Sequence, residues 1–195
     1  SRMAHRVYGS HYQTTLDARQ NTYDIALPSR ITEGGYKGEV SLDFRGLSLQ
    51  TGVEASLYSL SPQYPETHNL FEGINLYRPK DYHVFTTAAF AEATHRWKEW
   101  VFNAGVRYNG SYHSSYRKGH IDPRLQASYS LKKGGKISAS FVMGHQYINQ
   151  ITVSTVGFPL DFWMPSTQEI PAQQALTCNI GYMQPLFGGD YEFSA

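Results

Sequence analysis

The sequence predicts an all-β protein, an up-and-down antiparallel meander that forms part of a transmembrane β-barrel of about 8 to 10 strands. Three observations predict this fold. Apolar and polar residues alternate along nearly the whole chain, which is the period of a strand with two different faces. Short turns alternate with long connections between these strands. The alternating stretches are about 10 to 13 residues long, closer to the ~9 to 11 of a membrane-spanning strand than to the ~5 to 6 of an ordinary one.

Six stretches show the alternation most clearly. In the segment 124–131, Leu125 and Ala127 alternate with Gln126 and Ser128. The same pattern recurs in the segments 38–44, 47–57, 102–108, 137–143 and 175–182. Because successive side chains of a strand point to opposite faces, each stretch has one apolar and one polar face. No stretch has a comparable helical period.

The connections between these stretches differ in length on the two edges of the predicted sheet. Short turns are predicted at 45–46, 96–99, 132–135 and 188–190. Longer irregular segments are predicted at 16–35, 59–82, 109–121 and 148–170. Within the first of these, residues 21–27 could instead extend a strand. Short turns on one edge and long loops on the other are typical of outer-membrane barrels.

Aromatic residues gather at both ends of the predicted strands. Toward the long connections lie Tyr58, Tyr108, Tyr112 and Tyr147. Toward the short turns lie Phe44, Trp97, Trp100 and Phe187. Two aromatic girdles at the lipid–water boundaries have this distribution. A soluble sandwich would turn the same apolar faces inward, so the alternation alone does not say whether these faces meet lipid. The strand length and the aromatic girdles favour the membrane barrel over the sandwich.

The composition excludes several classes of protein. The chain has 195 residues, of which 17% are charged and 14% aromatic, and its net charge is +1. A nucleic-acid-binding protein normally has a strong basic excess, so we expect no nucleic-acid partner. The single Cys178 excludes an internal disulfide framework and a cysteine-based zinc site. No apolar run reaches the ~18 residues of a membrane helix.

The two ends of the sequence suggest a piece of a longer protein. Ser1 is not an initiator methionine, and residues 1–9 have no basic-then-apolar signal pattern. Residues 190–195 read as the beginning of a strand. We therefore expect residues 1–195 to form one partial barrel domain; a processed mature chain is the alternative.

Four runs of sequence, in the expected order, resemble the β-barrel of TonB-dependent outer-membrane receptors of the Bacteroidetes type. Residues 88–108 resemble a hairpin of that barrel, and residues 121–129 and 138–147 resemble the next two strands. Residues 158–165 with 170–174 resemble a long extracellular loop. The first contains Asn-Ala-Gly-Val-Arg-Tyr at 103–108, and the second contains Pro-Arg-Leu at 123–125. The resemblance is strongest over residues 36–193.

The resemblance implies a barrel of about 22 strands closed by a plug, which imports a scarce nutrient such as a siderophore or a glycan across the bacterial outer membrane. This chain departs from the pattern, because its sequence shows no plug domain, no TonB-contacting segment and no terminal aromatic strand. The expected partners are outer-membrane lipid, the rest of the barrel, the plug and, through the plug, the TonB complex. A small-molecule or oligosaccharide ligand is also expected.

Charged residues on the polar faces are the candidate lumen residues. They are Glu39, Asp43, Glu54, Glu92, Arg107 and Arg124. In a barrel such carboxylates face a watery lumen or a plug and pair there with Arg107 or Arg124, and they tune what passes. An acid–base pair for catalysis is the alternative interpretation. No nucleophile motif accompanies the carboxylates, so we expect no catalytic residues, no cofactor and no enzyme activity.

The eight histidines give no metal-binding pattern, because none lies in a helical His-x-x-x-His or a carboxylate-flanked cluster. We expect them to be polar residues at strand rims and in loops, and we predict no metal site.

The segment 158–170 contains the candidate ligand-binding residues. Phe162 and Trp163 offer flat apolar faces and Asp161 offers an acceptor, a combination that suits stacking on a sugar ring or an aromatic chelate. Alternatively, these side chains pack the segment onto the neighbouring loop 64–77 and close the mouth of the barrel.

These observations predict a part of an outer-membrane transport protein. Two other classes remain open at this point. One is a soluble extracellular β-sandwich that binds glycans through aromatic loop residues. The other is a complete small outer-membrane barrel with a structural or adhesive role.

Overall fold

The computed structural model describes residues 1–20, 23–62, 66–68, 81–114, 116–132, 134–155, 158–186 and 191–194. Within these ranges the regular secondary structure consists of β-strands. The strands are β1 (Arg2–Gln20), β2 (Tyr23–Phe44), β3 (Leu47–Ser61), β4 (Glu66–His68), β5 (Tyr82–Trp97), β6 (Trp100–His113), β7 (Tyr116–Ser130), β8 (Lys136–Gln146), β9 (Ile148–Thr155), β10 (Phe158–Pro165), β11 (Gln173–Leu186) and β12 (Tyr191–Ser194). The predicted all-β class is confirmed.

The main sheet is an antiparallel meander, as predicted. Its path runs β1-β2-β3-β5-β6-β7-β8-β11-β12, and β4 pairs with β2 beside this path. The hairpin β9–β10 forms a separate two-stranded sheet between β8 and β11 in the sequence. In the described part of the chain no ladder joins β1 to β12, so these strands are the two edges of the sheet. The described ranges contain no helix with the length and hydropathy to cross a membrane.

Three of the predicted irregular connections are wrong. Residues 109–113 and 116–121 continue β6 and β7, which remain paired up to His113 and Tyr116. Residues 16–20 and 23–35 lie in β1 and β2, which remain paired up to Gln20 and Tyr23, so the alternative of a strand extension is correct for residues 23–27. Residues 148–155 and 158–165 form the hairpin β9–β10. The alternation fails where neither face of a strand is apolar, although backbone pairing continues there.

The short turns lie on one edge, which we call the tight-turn edge. Phe44 pairs with Leu47, and Trp97 pairs with Trp100, so two residues make each of these turns. Positive φ angles occur at Gly46 (78°) and Lys98 (53°) in the two turns, as tight reversals require. The turn after β7 includes Gly134, and its Gly134 amide donates to the carbonyl of Leu131 over 3.0 Å. The predicted turn at 188–190 lies outside the described residues.

The two faces of the sheet have opposite environments. Ala104, Leu125, Phe141 and Cys178 are successive pairing partners on four neighbouring strands, so they lie side by side on one surface, the apolar face. This face is open: Leu125 is 53% exposed and Ile180 is 86% exposed. The side chains buried on the other surface, the polar face, include Ser29, Ser56, Ser111, Asp122 and Ser128. The sheet therefore curves around its polar side chains and presents its apolar ones outward.

The aromatic residues follow this division only in part. Phe44, Trp97 and Trp100 are exposed at the tight-turn edge. Tyr108 and Tyr112 are at the opposite end of the apolar face, with their hydroxyls 2.9 Å apart. The prediction of a lipid-facing girdle is wrong for Tyr58 and Tyr147, because both line a cavity on the polar face. Both are next to the connections, where a ring can satisfy its hydroxyl by turning inward. Phe187 lies outside the described residues.

Gly52 permits a close approach between strands, and we expect Gly52→Ala to lower the free energy of unfolding by about 1 to 3 kcal/mol. A Cβ atom there would lie 2.6 Å from the Gly38 carbonyl oxygen and 2.6 Å from the Phe90 ring. The matched control is Gly144→Ala, because a Cβ at Gly144 has nothing within 4 Å. Urea unfolding of both variants measures the difference. Equal losses would contradict the proposed crowding.

Candidate ligand-binding site

The polar face holds a cavity of about 400 Å³, which we call the polar cavity. Side chains from β2, β3, β5 and β6, from residues 145–148 and from β10 surround it. Its charged members are Glu33, Glu54 and Arg107. The cavity lies toward the edge that carries the longer connections, because its lining residues are at the ends of β3 and β6 far from the tight turns.

An ion pair spans one strand of the cavity wall. Arg107 on β6 donates to Glu54 on β3 over 2.9 Å, although β5 lies between these strands. The residue of β5 in that row is Ala88, which pairs with Glu54 on one side and with Asn109 on the other. The small side chain of Ala88 leaves room for the arginine to cross. Tyr8 on β1 also donates to Glu54 over 3.2 Å, so one carboxylate joins three strands.

A second carboxylate lines the same cavity. Glu33 on β2 is the pairing partner of Tyr58 on β3, and the Tyr58 hydroxyl donates to Glu33 over 2.7 Å. The cavity thus has two carboxylates and one guanidinium among its lining groups. Carboxylates accept hydrogen bonds, so the arrangement suits a ligand rich in hydroxyl or amine donors.

A buried carboxylate organises the other side of the cavity. Asp122 on β7 is 2% exposed. It accepts from Nδ1 of His145 over 2.6 Å, from the His145 backbone amide over 3.2 Å and from the amide of Asn109. Asn109 in turn accepts from Nε of Arg107 over 2.5 Å. One chain of hydrogen bonds therefore runs from Glu54 through Arg107 and Asn109 to Asp122 and His145.

The His145 ring is held in one orientation by its neighbours. Because Asp122 is an acceptor, Nδ1 of His145 is the donor, and Nε2 is the ring nitrogen left for a ligand. The ring of His120 stacks on that of His145 at 4.0 Å between centroids and 6° between planes. His120 is bonded through Nδ1 to the Tyr147 hydroxyl over 2.7 Å. These contacts hold the imidazole of His145 at the cavity wall.

Tyr147 joins the cavity wall to the hairpin β9–β10. Its hydroxyl donates to the Asn109 carbonyl over 3.0 Å, and burial raises the pKa of this phenol, so it remains a donor. The Tyr147 carbonyl accepts from the backbone amide of Ser166 over 2.7 Å. The Ser166 carbonyl accepts from Nε2 of His113 on β6 over 2.8 Å. The base of the hairpin is thereby fixed to β6.

The hairpin brings one predicted ligand-binding residue to the cavity. Trp163 on β10 lines the polar cavity together with Ile31 and Tyr58, which lie on β2 and β3. The hairpin thus reaches from β8 across the polar face. Asp161 and Phe162 belong to β10, but their side chains lie outside the described part of the structure. The loop 64–77, the alternative packing partner, lies mostly outside the described residues too.

The structure brings five of the six candidate lumen residues to two neighbouring cavities. Glu54 and Arg107 line the polar cavity. A second cavity of about 190 Å³ is lined by Glu39, Glu92, Arg107 and Arg124. Arg107 belongs to both. Glu39 pairs there with Lys37 over 2.7 Å, and Glu92 accepts from Asn103 over 2.7 Å.

Asp43 is separate from these groups. It is exposed near the tight-turn edge, where it accepts from the Ser48 hydroxyl over 2.6 Å. Among the described residues no group of three His, Cys, Asp or Glu side chains is arranged to hold a metal ion.

Sequence reasoning missed Glu33, Asn109, Asp122 and His145. Asn109 follows Arg107 by two residues and so shares its face, and Asp122 is the pairing partner of Arg107. The first signal was missed because residues 109–121 were predicted to be irregular, and the second depends on the register between β6 and β7. The pairing of His145 with Asp122 depends on the register of two later strands.

Comparisons with models of protein families, with curated proteins and with solved structures found no match.

Proposed function

We propose that this chain forms part of the wall of an outer-membrane transport barrel that binds a small polar ligand on its inner face. The single observation that carries the proposal is the division of the sheet, with an open apolar face on one side and a hydrogen-bonded polar face with a cavity on the other. The resemblance to TonB-dependent receptors supplies the expectation of active import.

The apolar face has the composition and the height that a bilayer requires. On β6 its residues run from Trp100 through Phe102 and Val106 to Tyr108, each 37% to 47% exposed. The eight steps from Trp100 to Tyr108 span roughly 26 Å along the strand, or about 20 Å after tilting, close to the ~25 Å apolar band of an outer-membrane barrel. Aromatic rings end the band at both sides, as they do at lipid–water interfaces.

The soluble sandwich receives less support. In a sandwich a second sheet covers the apolar face, but within the described ranges the other sheet, β9–β10, is on the polar side, where Trp163 joins the cavity. Exposed apolar patches larger than a few hundred Å² are rare on soluble monomers. The open apolar face therefore favours lipid as its neighbour.

A nitroxide label on Cys178 tests the membrane proposal directly. Cys178 is the only cysteine and is exposed on the apolar face beside Phe141. We expect the label in vesicle-bound protein to collide with oxygen, which dissolves in hydrocarbon, much more often than with a water-soluble nickel chelate. Electron paramagnetic resonance measures both collision rates.

The matched control moves the label by one residue, in Cys178→Ser with Asn179→Cys. Asn179 pairs with Ser140 and donates to its hydroxyl over 3.4 Å, so it belongs to the polar face. We expect this label to prefer the nickel chelate. A preference for the nickel chelate at both positions would refute the membrane proposal.

A further inference from the structure

The tight turns carry a row of exposed cations. Among the described residues of the three turns are Arg45, Lys98 and Lys132, and all three side chains are exposed. Glu99 is the carboxylate in these turns. By contrast, the whole chain is nearly neutral, with a net charge of +1. The tight-turn edge is therefore more basic than the composition would lead one to expect.

Backbone hydrogen bonds fix these turns relative to one another. The Arg96 amide donates to the Gly46 carbonyl over 2.9 Å, which joins the turn after β5 to the turn after β2. The Ser130 amide donates to the Glu99 carbonyl over 2.9 Å, which joins the turn after β5 to the end of β7. The cations thus lie along a continuous rim and not on separately moving loops.

The rim lies at the level of the aromatic residues that end the apolar face. Lys98 follows Trp97 directly, and its Nζ is 5.2 Å from the centroid of the Trp97 ring. Trp100 begins the next strand and stacks on Phe102 at 5.5 Å. Interfacial tryptophans lie at the depth of lipid head groups, so a cation held beside them is at the depth of the phosphates.

We propose that Arg45, Lys98 and Lys132 bind the phosphate groups of anionic phospholipids in the leaflet that meets the tight turns. This inference rests on the proposed membrane function and names the lipid class that the wall recognises. The distribution of the cations favours lipid over an acidic protein, because they are spaced along an arc, one for every second strand, and lipid surrounds a barrel in the same way. Each lysine or arginine close to an anionic bilayer changes affinity about fivefold.

Quenching of tryptophan fluorescence by brominated lipids measures this preference. The chain has three tryptophans, and Trp163→Phe leaves only Trp97 and Trp100, both at the rim. The protein is reconstituted into vesicles of brominated phosphatidylcholine or of brominated phosphatidylglycerol mixed with unbrominated phosphatidylcholine. We expect phosphatidylglycerol to be enriched about fivefold or more at the rim, and the enrichment to fall toward one in 1 M salt, where the Debye length is about 3 Å.

Two triple variants with the same net charge distinguish an effect of the rim cations from an effect of the overall charge of the chain. Arg45→Gln, Lys98→Gln and Lys132→Gln together should lower the enrichment. Arg30→Gln, Arg117→Gln and Lys118→Gln together remove three exposed cations from the other end of the strands and should leave it unchanged.

The outcomes distinguish the two proposals. If brominated phosphatidylcholine quenches the fluorescence and phosphatidylglycerol is not preferred, the inference about anionic lipid is overturned, but the membrane proposal stands. An acidic protein would then be the next candidate partner of the rim. No quenching by either lipid refutes the membrane proposal itself. An equal loss of enrichment in both triple variants also overturns the inference, because the effect would then come from net charge.

Discussion

Asp122→Ala is expected to lower the free energy of unfolding by about 3 to 5 kcal/mol, because it removes a buried hydrogen-bond acceptor shared by β6 and β8. Asp122 is 2% exposed and accepts three hydrogen bonds from Asn109 and His145. Its removal leaves three donors without their acceptor, and each buried orphan costs about 1 to 3 kcal/mol. Urea unfolding in lipid vesicles, followed by fluorescence, measures the change.

Asp43→Ala is the matched control for the loss of a carboxylate. Asp43 is exposed and has Ser48 as a hydrogen-bond partner, so we expect a change within about 0.5 kcal/mol. A second comparison uses His145→Ala in the Asp122→Ala background, where the two effects should be less than additive because the residues share one network. A loss below about 1 kcal/mol for Asp122→Ala would mean that the network does not hold the wall together.

Ala139→Lys is expected to cost about 2 to 4 kcal/mol, the penalty of a lysine near the bilayer midplane on the lipid face of a barrel. Ala139 is exposed between its pairing partners Ala127 and Ile180 on the apolar face. Unfolding of the vesicle-bound protein in urea gives the value, and Ala127→Lys should give a similar one.

Gln126→Lys is the control that separates the two faces. Gln126 neighbours Ala127 in sequence, is exposed, and pairs with Asn103 and Ser140 on the polar face. A lysine there meets water in the proposed barrel, so we expect a change of less than about 1 kcal/mol. Equal costs for Ala139→Lys and Gln126→Lys would contradict the assignment of lipid to the apolar face.

The sequence predicted the meander well where one face is apolar. Stretches such as 102–108 and 124–131 alternate because one side meets an apolar environment, and the structure has β6 and β7 there. The same reasoning failed for 109–121, where both sides of the hairpin carry mainly polar residues although the backbone ladder continues. Period-two patterns report on environment, not on backbone hydrogen bonding.

The candidate site was predictable only within single strands. Glu54 and Arg107 were identified from their polar faces, and the structure joins them at 2.9 Å. Their pairing depended on the small Ala88 between them and on two strand registers, β3 with β5 and β5 with β6. The stack of His120 on His145 likewise joins residues 25 positions apart, which no local pattern reveals.

The continuation of β6 and β7 beyond the apolar face has a consequence for how a ligand arrives. From Tyr108 to His113 the paired strands extend roughly 17 Å further along their axis, and the stacked rings of His113 and Tyr116 lie at the end. In the proposed orientation this extension stands in water above the lipid surface. A solute would meet these paired strands first, so its selection would begin outside the membrane and not at the depth of the bilayer.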